Sequence, residues 1–154
     1  MSEHDELSAA SNDRTIFERV KALNFPIGQY IVVGGALEAH GIRKSDDVDI
    51  IATHELVDEL VEQGWTPHSL NPGDVGEDGT KRKVSRDDVD VMTEFSWKDV
   101  TIAKTADLIA GAEIIQDIPF VPLHLLLQWK EVSEREKDFR DVELLRNYLE
   151  NRES

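Results

Sequence analysis

Apolar positions along this 154-residue chain change their spacing from segment to segment, and each spacing predicts an element. Between Asn12 and Asn24, Ile16, Phe17, Val20 and Leu23 fall on one helical stripe. Asn12 or Asp13 is placed to cap that helix, and the segment FPIG from Phe25 ends it. QYIVVGG, from Gln29 to Gly35, is an apolar β-rich run and predicts a strand. ALEAHG predicts a short helical turn closed by Gly41. DDVDIIAT, from Asp46 to Thr53, predicts a second strand. Thr53 then caps a helix in which Leu56, Val57, Leu60 and Val61 repeat at helical spacing, and Gly64 stops it.

The second half follows the same logic. NPGDVGEDGT is turn chemistry. KRKVS and DDVDVMTEF predict two strands of a hairpin joined near Arg86 and Asp87. TADLIAGA fits a helix or a loop, and EIIQDIPFVP reads as extended. Pro122 suits the first turn of a helix through LHLLLQWKEV. Ser133 and Glu136 have capping-box spacing and start a final helix with Phe139, Val142, Leu145 and Leu149 inward. The order predicts an α/β (α+β) domain with a small mixed β-sheet flanked by helices. One domain over residues 12–154 accommodates it, preceded by a flexible acidic tail at residues 1–11.

Charge and composition remove several classes. There are 32 acidic against 17 basic residues, a net charge of -15. Such a surface lacks the basic footprint of a nucleic-acid-binding domain. No cysteine is present, which removes disulfides, thiol nucleophiles and zinc-thiolate sites and fits a cytoplasmic location. No apolar run approaches the roughly 18 residues of a membrane span, so no membrane partner is expected. The start, MSEHDELSAASND, lacks the basic and apolar parts of a secretory signal.

The chemistry concentrates in two acidic-apolar alternations, DDVDI and DDVDV. Side chains alternate across a strand, so Asp47 and Asp49 share a face, as do Asp88 and Asp90. Two carboxylates at i and i+2 are only about 6.6 Å apart along the backbone. A divalent cation offsets their repulsion, and Mg²⁺ takes one or two carboxylates together with water and phosphate oxygens. The bland alternative is a solvent-facing edge strand, which is preferred for Asp46 or Asp88 alone. Gly34 and Gly35 follow an apolar strand and precede a short helix, where backbone N–H groups can approach a phosphate. Neither a P-loop nor a dinucleotide fingerprint is present. Arg43 and Lys44 precede the first acidic pair and could hold a triphosphate. Lys81, Arg82, Lys83 and Arg86 precede the second, where ion pairing and solubility explain Lys81 to Lys83 better. His4, His40, His54, His68 and His124 show no metal-ligand spacing, His40 being the one nearest the site. Trp65, Trp97 and Trp129 read as core anchors.

Taken together, the strand, Gly34-Gly35, the short helix, GIRKSDDVDI with its Asp47-x-Asp49, and a later strand with Asp90 resemble the nucleotidyltransferase superfamily typified by DNA polymerase beta. The C-terminal segment IPFVPLHLLLQWKEVSEREKDFRDVELL is similar to that of its minimal, toxin-type prokaryotic members, with Lys130, Arg135, Lys137, Asp138 and Asp141. The resemblance covers about Gln29 to Leu145. It implies that Asp47, Asp49 and Asp90 bind Mg²⁺ or Mn²⁺ and are catalytic, with Asp90 helping to activate the acceptor hydroxyl. It implies nucleotide-binding roles for Gly34, Gly35, Arg43, Ser45, Lys130 and Lys137, although a turn role is preferred for Ser45 and ion pairing of Lys130 or Lys137 with Glu134 or Asp141 is equally open. The implied reaction moves a nucleoside monophosphate from a nucleoside triphosphate to an RNA, protein or small-molecule hydroxyl. Gly35 departs from the family's frequent serine, and no extra domain holds an acceptor. The alternative is therefore a catalytically silent protein of this fold, acting as a binding or regulatory partner, for example in a toxin–antitoxin system. A homodimer or protein partner would complete so short a cleft.

Overall fold

The computed structural model describes residues 14–76, 78–97, 100–133 and 136–153, without the side chains of 97, 100–102, 137 and 153. The acidic tail, an Asn12 or Asp13 cap, Arg135 and the side chains of Lys137 and Trp97 lie outside the described residues. The architecture is mixed α and β. Six helices surround a seven-stranded mixed sheet among the described residues, and a two-stranded hairpin stands beside it.

Helix α1 (Ile16–Lys21) is shorter than its stripe predicts, because Thr15 supplies the cap: its hydroxyl accepts the Glu18 N–H at 3.2 Å. Ile16 and Val20 are buried, but Leu23 falls beyond the helix and Asn24 turns the chain with φ +55°. Strand β1 (Tyr30–Gly34), helix α2 (Ala36–Ala39), strand β2 (Val48–Ala52) and helix α3 (His54–Glu62) match the sequence pattern closely. The Thr53 hydroxyl accepts the Leu56 N–H at 3.2 Å, as its position predicts. In α3, Leu56, Val57 and Leu60 are buried and Val61 lies on the exposed margin of the stripe.

Two departures occur where short strands carry weak patterns. Strand β3 (Thr66–His68) was hidden because all three of its residues are exposed at the sheet edge. The second strand of the predicted hairpin divides in two. It becomes β5 (Val89–Met92), which pairs with β4 (Lys83–Arg86), and β6 (Phe95–Trp97), which pairs with β7 (Val100–Ala103) in the separate hairpin. TADLIAGA resolves as helix α4 (Thr105–Ala110). The extended segment after it is a tight hairpin of β8 (Glu113–Ile115) and β9 (Ile118–Phe120). Gln116 and Asp117 both have positive φ there, the backbone of a two-residue turn matched to strand twist.

Helix α5 (Leu123–Ser133) begins just after Pro122, whose carbonyl accepts from Leu125 and Leu126. Ser133 is the last residue of α5 rather than the cap of the next helix, and its hydroxyl donates to Asp138 at 2.6 Å. In α6 (Glu136–Glu153), Leu145 is buried, Val142 nearly so and Leu149 partly. Phe139 is exposed, contrary to its place in the stripe.

The sheet order is β3-β4-β5-β2-β1-β9-β8, with β2 at its centre. The β1–β2 and β4–β5 pairs are antiparallel, and β2–β5 and β1–β9 are parallel. One face carries Val48, Ile50, Val84, Val89 and Val91, all buried. A fully buried Val or Ile of this kind contributes about 1.5–3 kcal/mol. The opposite face carries Asp49 and Asp90. No helix of the described residues is long and apolar enough to cross a membrane.

Candidate functional site

The register of the central strands draws the acidic residues together. Asp49 and Asp90 are direct partners across the parallel β2–β5 ladder, so their side chains stand on one face, about 4.8 Å apart at the backbone. Gly34 is the partner of Asp49 on the other side. The β1–β2 register shifts by one residue between Val32 and Gly34, a bulge that ends regular pairing beside the carboxylate. Gly34 leaves the room that Asp49 occupies: a Cβ there would lie 2.8 Å from Asp49 Cβ and closer still to its carboxylate.

Gly34, Gly35, Arg43, Ser45, Asp47, Asp49 and Lys130 all line one cleft of about 710 Å³. Trp129 forms part of its wall, its ring 5.2 Å from that of Phe95. Asp47 is exposed just ahead of β2, and Asp49 is half-buried. Asp90 is next to Asp49 in register but outside the residues lining the cleft, and its carboxylate lies 3.8 Å from Lys83 Nζ. Among the described residues, no three His, Asp or Glu side chains form a group spaced to hold a metal ion.

Two cations of the cleft, Arg43 and Lys130, are held by carboxylates. Arg43 donates two hydrogen bonds to Asp141, at 2.7 and 2.8 Å. Lys130 is 3.0 Å from both Asp138 and Asp141, and all three are buried. Sequence reasoning named each of these residues but did not pair Arg43 with Asp141, which are 98 positions apart. Lys130 meets Asp141 as an ion pair, in the interior instead of on a helix surface. Downstream, Arg82 pairs with Asp58 at 2.6 Å and Lys83 with Asp90.

The loop that delivers Asp47 is fixed from both sides by residues the sequence did not single out. Glu38 accepts the Ser45 N–H at 2.8 Å and the Ile16 N–H at 2.6 Å. Arg19 donates to the carbonyls of Ser45 and Asp46, at 2.9 and 2.8 Å, and pairs with Asp88. Only the fold brings residues 19, 46 and 88 together, so no spacing in the chain signals them. His40 packs against the Tyr148 ring and is not among the residues that line the cleft.

Burial works to raise the Asp141 carboxyl, but hydrogen bonds from Arg43 and Lys130 outweigh it and hold the group below the ordinary aspartate range. The folded state therefore takes up this proton later than the unfolded state as pH falls. The associated stability is complete above the unfolded value, about pH 4, and is lost as pH drops through the lower folded value. In urea titrations, Asp141→Asn is expected to flatten the loss of stability below about pH 4. An unchanged acid limb in the variant would contradict this assignment.

Compared with protein-family models, curated proteins and solved structures, the chain matches none.

Proposed function

We propose that the chain is a magnesium-dependent nucleotidyltransferase of the minimal type, moving a nucleoside monophosphate from a nucleoside triphosphate to a hydroxyl acceptor. The observation that carries this reading is the meeting of Gly34, Gly35, Asp47 and Asp49 in one cleft, with Asp90 next in register. Lys83 offsets part of the repulsion between Asp49 and Asp90 on adjacent strands, and Asp47 and Asp49 would hold Mg²⁺ or Mn²⁺, with Asp90 beside them. The ion would supply charge neutralisation for phosphate oxygens. The Gly34–Gly35 backbone lines the cleft, where N–H groups would donate to a phosphate, and Trp129 offers an aromatic wall. The Arg43, Lys130, Asp138 and Asp141 network positions α5 and α6 over the cleft.

A second reading, a catalytically silent protein that binds a nucleotide or a partner, has its own observation. Arg43 and Lys130 already satisfy buried carboxylates, so neither is a spare charge for a triphosphate.

The discriminating experiment incubates the protein with Mg²⁺ or Mn²⁺, each of the four labelled nucleoside triphosphates, and RNA, protein and small-molecule acceptors. The enzyme reading expects transfer that falls by about 100-fold or more, roughly 2.7 kcal/mol, in Asp47→Ala and Asp49→Ala. Calorimetric nucleotide binding without transfer supports the silent reading. Absence of both binding and transfer rejects the nucleotide site altogether.

A further inference from the structure

The row of residues that starts in the cleft does not stop at Asp90. Across successive ladders, Gly34, Asp49, Asp90, Ser85 and Thr66 are direct partners and share one face of the sheet. Ser85 stands opposite Asp90 on an antiparallel pair, with about 4.5–5.5 Å between their Cβ atoms. Its hydroxyl is in hydrogen-bond contact with Nε2 of His68 on the edge strand. Lys83, the direct partner of His68, places its ammonium 3.8 Å from the Asp90 carboxylate on the same face. Ser85 is half-buried and His68 exposed, so the pair is open to a ligand.

A hydroxyl held against an imidazole is the arrangement that activates serine nucleophiles. Here it lies beside the carboxylate that the nucleotidyltransferase reading puts next to the nucleotide phosphates. We propose that the Ser85 hydroxyl is itself an acceptor, so that the chain nucleotidylates its own β4 strand; the proposal rests on that reading and names its acceptor.

The step balances without a further reactant. With His68 in the Nδ1–H tautomer, the Ser85 hydroxyl donates to Nε2. Ser85 Oγ attacks the α-phosphorus of the nucleoside triphosphate, and its proton passes to His68 Nε2. The bond from the α-phosphorus to the bridging oxygen breaks, and that oxygen leaves with the pyrophosphate. The product is a phosphodiester of Ser85 and the nucleoside. Lys83 supplies positive charge beside the phosphoryl oxygens.

The test is intact-mass measurement and peptide mapping of the full chain after incubation with Mg²⁺ and each of the four nucleoside triphosphates, with no other acceptor. The expected result is a mass gain of one nucleoside monophosphate on Ser85, absent in Ser85→Ala and in Asp49→Ala. His68→Ala is expected to slow labelling about 100-fold, the usual contribution of a general base. Melting temperatures close to that of the parent show that Ser85→Ala and His68→Ala remain folded, and Ser96→Ala is expected to label normally. First-order labelling independent of protein concentration supports transfer within one chain, and a rate rising with concentration overturns it. Label on another residue overturns the proposal. So does an unlabelled Ser85 when calorimetry detects nucleotide binding that weakens in Asp49→Ala; the nucleotidyltransferase reading then stands without this acceptor. Neither labelling nor binding removes both.

Discussion

Lys130→Met is expected to destabilise the fold by about 3–5 kcal/mol, the range for breaking a buried ion pair by removing one partner. Lys130 is 8% exposed, and its ammonium lies 3.0 Å from both Asp138 and Asp141. Methionine matches the lysine stem and lacks only the terminal ammonium, so packing of the stem changes little. What changes is the charge balance: Asp138 keeps the Ser133 hydroxyl and Asp141 keeps Arg43, but both lose their shared cation. A carboxylate left in the interior without sufficient compensation is expensive. Urea denaturation at neutral pH measures the loss. Replacing Lys130, Asp138 and Asp141 together by apolar residues of similar volume is expected to recover much of it, since the cost comes from unpaired charge. A single variant as stable as the parent would show that the three groups do not form the network described.

Gly35→Ala carries the second large effect, from two sources. Gly35 has φ +139°, where a side chain adds backbone strain of about 1–3 kcal/mol. The new Cβ would also meet Ile16, 2.5 Å from Cδ1 and 2.8 Å from Cγ1. Ile16 is fully buried at the start of α1, so it has no free space to enter, and overpacking of this kind costs about 1–3 kcal/mol more. Ile16→Ala in the same background is expected to relieve the second cost and leave the first. A double-mutant cycle measured by chemical denaturation would show that coupling, and strictly additive losses would argue against contact between the two positions.

The central β1–α2–β2–α3 unit was legible because β1 is apolar and ends in a glycine pair, β2 alternates before its apolar end, and Thr53 marks the helix start. The edges were not. Thr66 to His68 carry no apolar alternation, so β3 follows from the ladder to β4 and not from its own pattern. The run from Val89 to Phe95 reads as one strand, yet after Met92 the chain passes to a different partner strand. In the candidate site, Gly34, Gly35, Asp47 and Asp49 were visible as local motifs. The company of Arg43 was not, because its partner Asp141 comes from α6, 98 positions along the chain. The same holds for Arg19, 26 positions before Ser45, and for the contact by which Glu38 ties the Asp47 loop to Ile16, 22 positions before it. Local spacing discloses residues that share an element, and it cannot disclose those that meet only after packing.

The strand order has a kinetic corollary. Strand β1 pairs in parallel with β9, and Arg43 closes on Asp141 across 98 positions. Contacts this far apart in the chain form late, because long loops must close first. During ribosomal synthesis, at about 5–20 residues per second, the glycine bend and its aspartates emerge several seconds before the last helix. Throughout that interval the nascent chain carries the acidic strands without α6, so the Arg43–Asp141 pair and that wall of the cleft form only after the final helix is released.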